Sequence, residues 1–486
     1  MRSVLAAIFI SFLLFGASAC SVPLAPGYRI LKESREVRFM PGPPSQLQIR
    51  ARYTLQNTGS RELTFVDATF PDERIFGRRN LRVEVGGREA ALGKLEEEYQ
   101  RSAPHTIRIA IDPPWALKQR RELTIEYDFS SPEDSGARIT LGEASFHLGS
   151  RGWIPVLEPP RNFLAPFPKR PNRMIYTIRV PAGFLILARG TASGRKRDGG
   201  EIEYRFELRK GDLAPYIVAG KYAESASRGK SGGAVFWTRE PLKENATAVE
   251  EQIASAWSIL QKDFGPLDKH IQLPHIVESP ELRTHFAGED GPAASSFPGG
   301  ALVNPAALAL GIGSEPFLER ITHALAHNWF SDEMYPTPEA VVGLGEGLSE
   351  YATIVIDEAR KGEAARYQRV IDKLHEYDEA RKRTAEKPLG LLVVTDSLEQ
   401  RRIGLAKAPL FFVALEDRCG EAPVRGGLRD LVTQLRGQEV GYDDVRAALE
   451  RTTGQSLAEL FRVWLYDKSI PSDFRARYES ANETRP

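Results

Sequence analysis

Two histidines four residues apart, His323 and His327 in the stretch HALAHNWF, offer the clearest chemistry in the chain. On an α-helix that spacing stacks both imidazoles one turn apart on one face, so both reach a single ion. Imidazole nitrogens suit Zn²⁺, and a catalytic zinc needs a third protein ligand plus an open position. Glu346, in GLGEGLSEY, opens the next helical segment and could supply the carboxylate. For the bare H-x-x-x-H spacing the alternative is a structural pair of half-buried histidines, and the glutamate that follows favours a metal centre. Glu350 lies one turn beyond Glu346. It is either an acceptor that orients a metal-bound histidine or a solvated helix acid.

The group that should move protons is missing. In an H-E-x-x-H helix the glutamate after the first histidine is the general base, and Ala324 stands there instead. General acid–base catalysis contributes roughly 10²–10⁴-fold, or about 3–5 kcal/mol of barrier. Zinc alone still lowers the pKa of its water to around 7. The pattern therefore predicts a retained metal with crippled chemistry. Asp332 and Glu333 are the nearest acids, either as substitute bases or as residues of a turn. Ser295 and Ser296 sit in no G-x-S-x-G elbow, which leaves serine hydrolysis without support.

The run H-x-x-x-H-N-W-F followed by E-G-L-S-E-Y is similar to the H-E-x-x-H-x18-E signature of the gluzincin zinc aminopeptidases, peptidase family M1. The likeness extends over residues 45–470. Gly152-Trp153-Ile154-Pro155 and Tyr216-Ile217-Val218-Ala219-Gly220 resemble the end of that family's N-terminal β domain. Leu460 to Leu465, followed by Pro471, resembles the close of its catalytic domain. The resemblance implies a saddle-shaped β domain and a thermolysin-like catalytic domain, with His323, His327 and Glu346 as zinc ligands. Two more departures accompany Ala324. The family's oxyanion tyrosine lies in a Y-x-K-G stretch, matched here by Leu405-Ala406-Lys407-Ala408, so the tyrosine position is leucine. Loss of such a donor typically costs about 10²–10³-fold. Tyr335, Tyr351 and Tyr377 are the alternatives for that role. The family's G-x-M-E-N loop, which holds the substrate amine, is matched by Phe286 to Asn304. Glu289 is the candidate anchor there, against a solvated acid on a Gly/Pro loop. Gly299 and Gly300 begin the expected edge strand that pairs with substrate backbone.

Three departures at three points imply a catalytically impaired pseudo-peptidase that holds a peptide or protein ligand in its cleft. One alternative is an active metallopeptidase with a base from Asp332, Glu333 or Glu289. The other is a structural envelope protein whose metal staples two helices.

The elements that must position these residues divide the chain into an α+β architecture. In residues 27–222 apolar positions alternate, as in Leu47, Ile49, Ala51, Tyr53 and Leu55, which predicts antiparallel strands with one buried face. The expected β domain spans 20–224. SASRGKSGG (225–233) reads as a linker, and 234–475 as a mainly helical catalytic domain with a small sheet near its start. Helices are expected at Ala246–Lys262, Pro316–Phe330, Leu344–Lys361, Glu363–Arg383 and Ala408–Asp417, with two more up to Tyr466 and a tail at 476–486. His375 falls on a charged helix face and is expected to be exposed.

Lys+Arg and Asp+Glu are equal at 65 each among 486 residues, and no basic patch interleaves with aromatics, so nucleic acid is a poor partner. Residues 1–19 have the order of a secretory signal: Arg2, the apolar run Val4 to Phe15, then Gly16-Ala17-Ser18-Ala19. LFGASAC resembles a bacterial lipoprotein signal, with Cys20 as the lipidated residue. Ordinary cleavage before a free Cys20 is the alternative. Cys419 is then unpaired. The expectation is an exported, lipid-anchored protein of the cell envelope.

Overall fold

A computed structural model describes residues 27–69, 78–94, 106–130, 139–149, 173–209, 215–229, 232–242, 246–267, 273–283 and 291–482, with a few single positions between. The signal segment, Cys20 and Glu289 lie outside the described residues. No described helix is long and apolar enough to cross a membrane.

The first region is built of sheets. Its largest runs, in spatial order, Thr191–Asp198, Glu201–Arg209, Arg173–Pro181, Tyr28–Met40, Gln46–Asn57, Arg120–Ser130, Arg78–Val85 and Arg88–Glu89. Alternation in the sequence becomes alternation in burial, with Leu47, Ile49, Ala51, Tyr53 and Leu55 inside and their neighbours facing outward. The pairing departs from the antiparallel expectation once, where Tyr28–Met40 runs parallel to Arg173–Pro181. A three-stranded sheet (Leu63–Thr69, Thr106–Trp115, Leu92–Lys94) and a four-stranded one enclose the same core. In the four-stranded sheet, Ile217–Gly220 is buried on both faces. Ile217 and Ala219 join the first core, while Tyr216 and Val218 join a second cluster with Trp237, Val277 and Phe297. One strand thus ties the β region to the sheet that opens the second region.

That sheet is five-stranded, made of β1 (Ala223–Gly229), β2 (Gly232–Thr238), β3 (His275–Glu278), β4 (Ala294–Phe297) and β5 (Gly300–Val303), in the order β1-β2-β3-β5-β4. Two expectations are corrected here. The stretch 225–233 is not a linker, because its described residues lie in β1 and β2, which pair antiparallel from Ala223↔Thr238 to Gly229↔Gly232. Small polar residues serve an edge hairpin as well as a flexible tether, and local composition does not separate the two. Gly299 and Gly300 also do not begin the edge strand. β5 is paired on both sides, and the edge is β4.

The helices come next in the chain as α1 (Ala246–Phe264), α2 (Glu315–His327), α3 (Gly347–Lys361), α4 (Glu363–Arg381), α5 (Leu398–Cys419), α6 (Glu421–Gln434), α7 (Tyr442–Thr453), α8 (Ala458–Tyr466) and α9 (Ser472–Asn482), with a single turn at Pro305–Leu308. α5 begins ten residues before its expected start and carries Pro409 inside it. The expected tail is also corrected. α9 covers most of it, with Phe474 and Tyr478 buried in the helical core and Tyr367 donating to the Tyr478 carbonyl. Its apolar residues are too sparse to announce a helix without the surface that receives them.

Candidate metal centre

α2 starts at Ser314, whose hydroxyl accepts from the Phe317 N–H, with Pro316 in the first turn. Its apolar face, including Phe317, Ile321, Ala324 and Leu325, is buried in the helical core, which turns His323 and His327 toward the remaining, half-open side. After His327 the chain passes into a π-helical turn, Asn328–Glu333. Asn328 closes the helix onto the sheet: its Oδ1 accepts from Gly299 N–H at 2.6 Å and its Nδ2 donates to Gly300 O at 3.2 Å. Trp329 donates to Gly265 O at 2.8 Å and packs on Trp257, while Phe330 packs on Phe264. The N-W-F after the second histidine therefore anchors the helix.

A second π-helical turn, Val341–Glu346, delivers Glu346 to the start of α3. Such turns are rare and often mark functional sites. Glycine is required at 347 because α5 crosses there: a Cβ on Gly347 would lie 2.5 Å from that of Ala408.

These elements converge on one point. His323 Nε2 and His327 Nε2 are 3.1 Å apart, and Glu346 Oε2 is 3.3 Å from each. With zinc bonds of about 2.0–2.1 Å, tetrahedral ligands stand about 3.3 Å apart, so the donor set fits Zn²⁺ in both type and spacing. It is the group of metal-capable side chains found among the described residues, and no fourth such side chain joins it there.

Each imidazole is held from behind. His323 Nδ1–H donates to Glu350 Oε2 at 2.9 Å, and His327 Nδ1 lies 3.1 Å from Ser331 Oγ. Both contacts leave Nε2 turned to the shared point, the usual way a protein selects the tautomer of a metal-binding histidine. Burial opposes a charge on His323, but Glu346 and Glu350 outweigh it and lift the imidazole to about 10. Burial likewise opposes ionisation of Glu346, but His327 and His323 hold it well below the usual carboxylate range. Glu350 is also held low, with burial overcome by Lys373 and His323.

Solved structures place this arrangement in context. The chain superposes on an M1 zinc metallopeptidase from Deinococcus radiodurans with a TM-score of 0.63 and 16% identity, over 92% of this chain and 95% of that one. The fold is that of the M1 zinc metallopeptidases. A glutamate-to-alanine mutant of the Deinococcus protein, bound to a Tyr-Ser-Ala substrate, matches with a TM-score of 0.64. Legionella pneumophila aminopeptidase A, in complex with aspartic acid, matches at 0.63 and 16% identity, over 93% of this chain and 50% of that one. No protein-family model and no curated protein sequence matches the chain.

Within this M1 fold the remaining sequence candidates separate. Ala324 is buried, with 2% of its surface exposed, in the apolar core beside the ligand pair. Leu405 is half-buried on α5 and packs on that core. Lys407, which matches the lysine of Y-x-K-G, is turned to Glu386 Oε1 at 2.9 Å and Asp467 O at 2.7 Å, a structural tie. The Tyr351 hydroxyl is committed to Glu416 and the Tyr377 hydroxyl to Glu386, while Tyr335 lies in a two-residue strand paired with Glu439–Val440. Glu333 is buried and ion-paired with Arg436, and Asp332 belongs to the π-helical turn. His375 is exposed. Among the described residues β4, Ala294–Phe297, is the outermost strand of this sheet on that side, and it packs along α2. Sequence reading missed this edge, Ser331 and Lys373. Ser331 stood in plain view at four residues from His327, while Lys373 carries no local signal.

Proposed function

We propose that this protein is an exported, zinc-binding M1-type pseudo-peptidase that holds peptides between the ligand cluster and the edge of β4, and is anchored to the envelope through Cys20. The observation that carries the reading is a contrast within one helix. His323 and His327 keep their partners and converge with Glu346, whereas Ala324 between them offers no proton acceptor and faces the core. Zinc bound there would polarise a water or a peptide carbonyl.

What the chain's own residues supply is orientation. Glu350 and Ser331 fix the imidazoles, and β4, the outermost strand of its sheet among the described residues, is where an extended peptide would add. Of the two acids nearest in sequence, Glu333 is buried against Arg436. A peptide-binding role for a centre of this kind is supported by the Deinococcus glutamate-to-alanine mutant, which holds a Tyr-Ser-Ala substrate. Export and acylation rest on the leader sequence ending in Cys20.

The test is peptide turnover by the zinc-loaded protein beginning at Ser21, read by mass spectrometry on a mixed peptide library, with His327→Ala as the blank. The expected result is stoichiometric zinc with no cleavage above the blank. Cleavage above it would replace this reading with that of an active metallopeptidase.

A further inference from the structure

Glu350 does not face His323 alone. Its Oε2 accepts from His323 Nδ1, and its Oε1 lies 2.8 Å from Lys373 Nζ on the neighbouring helix α4. Lys373 is largely buried, with 12% of its side chain exposed, and its other contact is Glu376 Oε2 at 2.8 Å. Glu376 is itself exposed and sits at the rim. The α3–α4 pair does not need Lys373 to be tied together. One turn away Arg369 binds Asp357 at 2.7 Å and Glu319 of α2 at 2.5 Å, and Arg366 reaches Glu358 at 3.4 Å, without either touching a ligand.

We propose that Lys373 is a positioning residue of the metal centre, acting through Glu350 on His323. A carboxylate with one oxygen pinned cannot swing freely about its last bond. With Oε1 held by the ammonium, Oε2 stays on the His323 Nδ1–H and Nε2 is presented to the ion. The inference rests on the metal-centre reading and adds a residue 50 positions from His323 in sequence.

The experiment is zinc affinity of the full chain by competition with a chromogenic chelator, for the wild type, Lys373→Met, Lys373→Arg and Arg369→Met, with thermal unfolding of each metal-free protein alongside. Loss of an outer partner of a ligand costs about 10- to 100-fold in metal affinity, and Lys373→Met is expected near the lower end, about tenfold. Lys373→Arg should recover most of that loss. Arg369→Met should lower thermal stability and leave zinc affinity unchanged, since it breaks ion pairs with Asp357 on α3 and Glu319 on α2 without touching His323, His327, Glu346 or Glu350. Equal affinity for Lys373→Met and wild type would overturn the inference, as would an equal loss in Arg369→Met. If Lys373→Met does not fold, Lys373→Gln replaces it, with a several-fold loss expected and no loss overturning the inference. A wild type that takes up no zinc would overturn the metal-centre reading itself, and this inference with it.

Discussion

Two sides of the α2 helix have been treated differently. On one side, His323 and His327 are backed by Glu350, Lys373 and Ser331, so every ring nitrogen of the pair has a polar neighbour. On the other, Ala324 is packed among apolar residues, and the Tyr351 hydroxyl and the Glu333 carboxylate are engaged with Glu416 and Arg436. Holding a metal and moving a proton place separate demands on a site. The first needs converging donors whose orientation is fixed, and the second needs a titratable group within reach of the substrate. On the reading proposed above, this molecule meets the first demand and leaves the second unmet, which makes the difference open to experiment from either side.

The largest expected effect restores the missing side. Ala324→Glu should raise peptide turnover by about 10²–10⁴-fold, the usual worth of a general base, measured as kcat/KM on the peptide best retained by the wild type. No gain would mean that Leu405 or the amine anchor limits the reaction as strongly as Ala324 does. Weakening the intact side comes next. Glu350→Gln keeps the shape and removes the charge, and should lower zinc affinity about 10- to 100-fold in a chelator competition, leaving the fold in place.

The smallest effect concerns a polar group held without partners, in contrast to the fully partnered centre. His147 is 2% exposed, sits 6.2 Å from the Phe297 ring at the end of β4, and makes no hydrogen bond through either ring nitrogen. Burial pushes its imidazole down to about 3. In the unfolded chain it takes a proton near 6.5, so below that pH the unfolded state binds more protons and stability falls as pH drops toward 3. At pH 5 the loss is about 2 kcal/mol. His147→Leu should therefore narrow the difference in thermal stability between about pH 7 and pH 5, and an unchanged difference would locate the acid sensitivity in other groups.

Much of the centre was legible because its signals are local. A four-residue spacing has one meaning on a helix, and the glutamate 19 positions on arrives at the start of the next. The alternation of Leu47, Ile49, Ala51, Tyr53 and Leu55 likewise announces a half-buried strand. Illegible parts depended on what lies across a gap. SASRGKSGG has the composition of a tether, yet its backbone pairs in a hairpin; GGALV looks like an edge strand until β4 folds back along it. Ile217–Gly220 lacks a polar face because two cores claim its two sides.

The sequence by itself determined the candidate cluster His323, His327 and Glu346, the alanine at position 324 and the division into a β region and a helical one. Residue type and short-range periodicity carry that information. Only the tertiary structure decided that β4 and not β5 ends the sheet, that Glu350 is backed by Lys373, and that Tyr351, Tyr377 and Lys407 are committed to Glu416, Glu386 and Asp467. Those are relations between side chains far apart in the chain, created when α3, α4 and α5 pack and each buried polar group takes the nearest partner that packing provides.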